Sequence, residues 1–276
     1  MNVILKTLVY DRQVSLTILN TTQLVNDAIK IHNVKGGAAK TLADMLTAAT
    51  YMSGCLKSDV GAVSLTVKAD KEVGTVSVSG DKNLHIRGYI DGNLNGKLKG
   101  GYMTVVRDDG FFRPFVGTCE LVCDDVSENL MQYFHLSEQI PTAVAISSQF
   151  DEDGNCVVAG GVVMQLLPGT SQANMDKAEN AMQNFVNVCP VLMELGANGI
   201  MQKFFGEETE QKFVYSYFPE YKCNCSRKKI SKVLISVGKS ELLDIVKEQG
   251  KVSVHCHYCN TDYDFDDKDI EELFNE

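Results

Sequence analysis

The sequence predicts an α+β protein: a mixed α/β amino-terminal domain with mainly antiparallel sheet, a helical linker, and a small cysteine-bearing carboxy-terminal domain. Three observations carry this. Alternating apolar and polar runs punctuated by glycine fill the first part of the chain, composition changes after Pro168-Gly169, and four of the nine cysteines gather in the last quarter as C-x-C and C-x-x-C. With 276 residues and 44% hydrophobic content, the chain is long enough for one large core and a second, smaller one. The boundaries are drawn at residues 1–169, 170–220 and 221–276.

Val3–Tyr10 and Val14–Leu19 alternate as a strand pair. Thr21 or Thr22 then caps a helix with Leu24, Ala28 and Ile31 on one face, and a second helix is predicted from Ala38 to about Leu56. The runs GAVSLTVKAD, GTVSVSG, LHIRGYI and GYMTVVRDD read as antiparallel sheet. SENLMQYFHLSEQIP reads as a helix ended by Pro141, and TAVAISSQFDEDGNCVVAGGVVMQLLPG as a hairpin turning at Asp153-Gly154.

Residues 170–220 carry seven acids, three bases and four of the ten methionines. Met175, Ala178, Met182, Phe185 and Val186 recur at helical spacing, which by itself is that of an ordinary core face. Gly196, Gly199 and Gly206 weaken the second half of the segment, since glycine inside a helix costs about 1 kcal/mol relative to alanine. The segment is therefore expected to be a linker with marginal structure of its own.

Twenty-six bases against thirty-six acids give a net charge of −10, which disfavours a phosphate backbone as partner. The first twenty residues alternate around Lys6, Asp11 and Arg12 rather than forming the apolar run of a signal peptide, and no stretch approaches the length of a membrane span. Nine cysteines without an export signal imply a reducing compartment, and a cytoplasmic location is expected.

Cys223, Cys225, Cys256 and Cys259 supply four soft ligands as two close pairs, the donor set that tetrahedral zinc takes in closed structural sites. In an extended segment, residues i and i+2 point to one side, so C-x-C offers both sulfurs to one ion. C-x-x-C does so from a tight turn, with Asn260 at a point that often needs a left-handed residue. Between the pairs Ser240 is placed as the cap of a helix with Leu242, Leu243, Ile245 and Val246 inward, closed by Gly250, and KVSVHC reads as a strand. Phe265 and Ile270 flank an Asp266 cap as a hydrophobic staple, with Asp267 and Asp269 in the first turn. So small a domain needs a staple beyond its core, and one zinc per chain would provide it.

His255 and His257 flank Cys256 and are read as bystanders. Cys55, Cys119, Cys123, Cys156 and Cys189 are read as small buried hydrophobes. Lys222 to Lys251 holds eight bases and three acids, whereas Asp262 to Glu276 holds eight acids and one base. The basic stretch either favours thiolates by charge or is a solvated helix face.

C-x-C, thirty intervening residues and C-x-x-C, behind a mixed domain ending AGGVVMQLLPG, together with HLSEQIPTAV and the CHYC turn, resemble the redox-regulated bacterial heat-shock chaperones of the 33 kDa chaperonin (heat shock protein 33) family. The likeness spans nearly the whole chain. It implies that the four cysteines hold zinc when reduced and pair as Cys223–Cys225 and Cys256–Cys259 on oxidation, releasing the metal. It implies a holdase that binds unfolding client proteins without ATP, and the chain has no G-x-x-x-x-G-K-[ST] loop. One departure is that Ser226 is followed by Arg227, Lys228 and Lys229 where the family carries an acidic residue, which bears on the oxidation threshold. The candidate client surface is Met175, Met182, Phe185, Met193, Met201 and Phe204. A homodimer is compatible with this reading, and neither nucleic acid nor a membrane is an expected partner. The main alternative is a zinc-ribbon nucleic-acid binder. A thiol oxidoreductase lacks its strand-to-helix C-x-x-C, and a zinc hydrolase lacks an open coordination position.

Overall fold

The computed structural model describes residues 1–69, 74–92, 96–209 and 213–274. Asp70 of the predicted strand run, residues 210–212 of the predicted linker and the last two residues of the chain lie outside the described residues. Two compact units are present, Met1–Tyr221 and Lys222–Glu276.

In the first unit β1 (Val3–Val9) and β2 (Val14–Asn20) pair antiparallel across a turn in which Tyr10, Asp11 and Arg12 all take left-handed backbone. Two helices come next, α1 (Thr22–His32) and α2 (Gly36–Ser53). The glycine-punctuated runs form β3 (Ala62–Lys68), β4 (Thr75–Asp81), β5 (His85–Asp91) and β6 (Tyr102–Asp108), and β7 (Phe115–Glu120) extends them. α3 (Val126–Tyr133) widens into a π-helical turn at Phe134–Glu138. It stops at Gln139, whose backbone is left-handed, before Pro141 is reached. β8 (Thr142–Phe150) and β9 (Cys156–Leu166) form the predicted hairpin, with Gly154 at φ +90° in its turn.

After a turn at Gly169 come α4 (Gln172–Met182), α5 (Val188–Phe205), β10 (Tyr215–Tyr217) and β11 (Glu220–Tyr221). One sheet has the order β10-β1-β2-β9-β8, the other β11-β5-β4-β3-β6-β7. All pairs in these two sheets are antiparallel except β11 with β5, and the short strands at the end of the unit close one edge of each sheet.

The position of α2 explains the arrangement. Its faces carry Leu42, Met45, Leu46, Ala48, Ala49 and Met52, all buried, in one core with Ile4, Leu19 and Val163 of the first sheet and Val63, Leu65, Val78 and Val105 of the second. A helix apolar on all sides belongs inside a protein, between layers. Four of its buried polar side chains are satisfied in place: Thr41, Thr47 and Thr50 donate to the carbonyls of Gly37, Ala43 and Leu46, and Asp44 accepts from Ser148 at 2.7 Å and from Lys40 at 2.6 Å, while Ser53 Oγ at the end of the helix has no partner among the described residues.

The other face of the first sheet, with Val3, Leu5, Leu16, Ile18, Val162 and Met164, is covered by α4 and α5. Here the structure corrects the expectation of a linker with marginal structure of its own, because an uncovered β-face this apolar requires a cover. Phe185, Leu192, Met201 and Phe205 supply it. Gly160 marks the closest approach: a Cβ there would overlap the Leu19 carbonyl and come within 2.5 Å of Leu192 Cδ2. The weakness assigned to Gly196 is a real break, since its φ of 62° interrupts α5. Val186, expected on the helix face, is instead 88% exposed, because the chain tightens into a short 3₁₀ turn at Gln183–Phe185.

In the second unit α6 (Arg227–Val237), α7 (Lys239–Gln249), the hairpin β12 (Val252–Cys256) and β13 (Thr261–Phe265), and α8 (Asp267–Leu273) enclose a core of Leu234, Leu242, Val252, Phe265 and Ile270. Gly238, not Ser240, precedes α7, and Gly250 closes it in left-handed backbone. Asp266 and Asp269 cap each other at the start of α8 as a capping box, with Phe265 and Ile270 buried on either side.

Candidate metal centre

Cys223 and Cys225 stand in the extended segment that enters α6, whose first turn is fixed by Ser226 accepting from Lys229 N. Cys256 ends β12, and Cys259 sits in the tight turn to β13. That turn is closed by Asn260 N donating to the Cys256 carbonyl at 2.8 Å, with Asn260 at φ 56°. The left-handed step reverses the strand within four residues, so Cys256 and Cys259 present their sulfurs on one side.

The two pairs meet. Cys223 Sγ lies 3.7 Å from Cys256 Sγ, Cys225 Sγ lies 3.2 Å from Cys259 Sγ, and all four sulfurs fall within 4.8 Å of one another. A thiolate tetrahedron with metal–sulfur bonds of about 2.3 Å has edges of about 3.8 Å, so the donor set fits such an ion once its separations adjust by about 1 Å or less. His255 turns away, its Nδ1 2.7 Å from Asp262 Oδ1 and its ring edge-on to His257.

Burial and neighbouring thiols push the Cys223 thiol up. At Cys225 burial acts in the same direction, but hydrogen bonds from the Tyr263 hydroxyl, 3.1 Å away, and from the other thiols outweigh it and bring it down to about 7. The Tyr263 hydroxyl thus favours the Cys225 thiolate, the form that a soft cation binds.

Tyr263 is absent from the sequence reading because TDYDF, short and acidic, lacks the β-branched signature of a strand; its alternation with Phe265 was the available signal. α6 went unread because lysines mask its apolar spacing. The basic stretch divides: Lys228, Lys229 and Lys232 stand on an exposed face of α6, whereas others are paired. Arg227 pairs with Asp269 at 2.7 Å and lies 4.1 Å from the Phe265 ring centre, while Lys239 and Lys251 pair with Glu271 and Asp264. These bases balance the acidic stretch of the same unit.

The remaining candidates separate. Of the proposed client surface, Phe185 and Met201 are buried, Met175, Met182 and Phe204 half-buried, and Met193 52% exposed. Among the other cysteines, Cys119, Cys156 and Cys189 are buried as expected, and burial pushes all three thiols up, Cys156 to about 12. Cys55 is exposed and Cys123 half-buried, contrary to the buried reading, because each lies in a turn past the end of its element.

The sequence pattern of the Hsp33 family (Hsp33 protein) matches residues 2–266. Relatives named 33 kDa chaperonin include that of Clostridium novyi, 33% identical over 284 residues covering 98% of this chain and 97% of the relative. That of Ruminiclostridium cellulolyticum is 32% identical over 269 residues, covering 93% and 92%. The crystal structure of the 33 kDa chaperonin (heat shock protein 33 homolog) of Thermotoga maritima matches with a TM-score of 0.87 at 28% identity, over 99% of this chain and 98% of that one. Two sheets around a central helix, a separate cysteine-centred unit and this match along the chain have one reading: the protein belongs to the Hsp33 family of chaperones.

Proposed function

We propose that the protein is a redox-regulated, ATP-independent holdase, inactive while its four clustered thiols hold zinc and active once they are oxidised. The observation that carries this reading is the convergence of Cys223, Cys225, Cys256 and Cys259 to within 4.8 Å inside a unit with a very small core. Bound zinc would supply a four-armed cross-link joining the segment before α6 to the β12–β13 turn. Peroxide-class oxidants take two electrons and two protons from each dithiol, forming Cys223–Cys225 and Cys256–Cys259. Neither bond ties one arm of the site to the other, and loops this short remove little chain entropy. Residues 222–276 then lose their staple.

Residues 170–220 are the segment proposed to respond, exposing Met175, Met182, Phe185, Met193, Met201 and Phe204 to unfolding clients. Support comes from the break at Gly196 and from the half-buried state of three of these side chains. A cytoplasmic location accords with the thiol content. Among the described residues no helix is long and apolar enough to cross a membrane. The zinc-ribbon nucleic-acid reading is disfavoured by the pairing of Arg227, Lys239 and Lys251 with acids of their own unit.

The deciding experiment measures zinc content, free thiols and suppression of client aggregation before and after peroxide, without nucleotide. One zinc lost, four thiols lost and suppression gained together are expected. Equal suppression in both states removes the switch.

A further inference from the structure

In the first unit a cavity of about 630 Å³ opens where the end of α2 meets β1, β2 and the β6–β7 hairpin. Its size is that of a small-molecule site. The wall is cationic: Lys6, Lys57, Arg107 and Arg113 line it, against the carboxylates of Asp109 and Glu138. Glu138 is engaged by Arg107 Nη1 at 3.2 Å and by the Tyr133 hydroxyl at 3.0 Å. Among the described residues Lys6, Lys57 and Arg113 have no carboxylate partner. In a chain of net charge −10, such an opening attracts small anions.

Cys55 lines the same cavity and is the one exposed cysteine of the nine. Lys6 Nζ, anchored on the Gly54 carbonyl at 2.8 Å, lies 3.7 Å from Cys55 Sγ, a positive charge where a thiolate would form. Phe112 and Phe115, both exposed, give the opening apolar walls for a ligand's carbon skeleton.

We propose that this cavity binds small carboxylate-bearing disulfides and that Cys55 takes up their thiol half as a mixed disulfide, a redox site separate from the clustered cysteines. The unpaired cations hold the carboxylates while the Cys55 thiolate attacks the nearer sulfur of the ligand. The protein–ligand S–S bond forms as the ligand's own S–S bond breaks. The departing half leaves as a thiolate and takes up a proton, so Cys55 is oxidised and the disulfide reduced without any further oxidant. The remaining thiols outside the cluster provide internal contrasts. Cys119, Cys156 and Cys189 are buried, and Cys123 stands beside Asp125 and Glu128, which repel an anion.

The test uses the full, reduced, zinc-loaded protein with glutathione disulfide as the anionic probe, bis(2-hydroxyethyl) disulfide as neutral and cystamine as cationic comparator. Adducts are located by peptide mass mapping, and each rate is divided by that of the same disulfide with a small free thiol. One adduct on Cys55 is expected, with the anionic probe favoured about tenfold or more. Lys57→Ala and Arg113→Ala, both at exposed side chains, should remove most of that preference, and Cys55→Ser should abolish the adduct. Equal normalised rates for the three disulfides, preference retained in both cation variants, or a first adduct on Cys123 or the clustered cysteines would overturn the proposal.

Discussion

Leu192→Ala separates client exposure from metal loss. Leu192 is buried in α5 and packs over Gly160 of β9, where the helix comes closest to the sheet. Truncating a buried leucine to alanine costs about 2–5 kcal/mol. If that cost falls on the docking of α5, the population with α5 released rises about thirtyfold or more, a tenfold change being about 1.4 kcal/mol. The four sulfurs lie in the other unit, so zinc stoichiometry should be unchanged. The assay is amide hydrogen exchange of residues 172–205 together with light scattering of a thermally unfolding client, both on reduced protein. Lower protection there and partial suppression of aggregation without peroxide are expected. Leu65→Ala is the control, a buried leucine in the core around α2 whose loss should cost similar stability without activating the protein. Lost protection over 172–205 with no gain in suppression would refute the assignment of that segment as the client surface.

Cys256→Ser should lower metal affinity sharply while His255→Ala leaves zinc stoichiometric, as read by metal analysis after dialysis. Chelating zinc from the reduced protein should abolish hydrogen-exchange protection of 222–274 and leave that of β1–β9 in place, since the first unit has its own cores. Asp44→Asn tests the buried carboxylate of α2, which burial, opposed only in part by Lys40 and Ser148, pushes up to about 6. Because the folded value is raised, the contribution to stability is greatest in acid and is lost as pH rises through about 6, by about 3 kcal/mol. Asparagine keeps the Ser148 contact without this dependence, so urea titrations should show the variant gaining on the wild type by roughly that amount between acid and neutral pH. A constant gap would place the ionisation elsewhere. Tyr263→Phe should make the reduced, zinc-loaded protein release its metal at a higher pH on acidification, because the hydroxyl donor 3.1 Å from Cys225 is lost and protons compete better for the sulfur.

Much of the chain was legible because its information is local. Alternation placed β1 and β2, glycine marked the β8–β9 turn, the Asp266 box started α8, and the spacing of Cys223, Cys225, Cys256 and Cys259 named four donors without any fold. Backbone geometry at Asn260 follows from the C-x-x-C turn itself. Other features depend on residues far apart in sequence. Glycine breaks made 170–220 look weak, yet the apolar face that α5 covers is built by three strands, and only their assembly shows that Leu192 has Gly160 to pack on. Arg227, Lys239 and Lys251 have no partner visible in the sequence until the fold sets them against Asp269, Glu271 and Asp264. Tyr263 comes beside Cys225 only once β13 pairs with β12, and Lys6 meets Cys55 only once β1 lies against the end of α2. Which four thiols converge is thus written in short spacings, while charge compensation, thiol reactivity and the covering of a sheet are properties of pairs that the chain brings together only by folding.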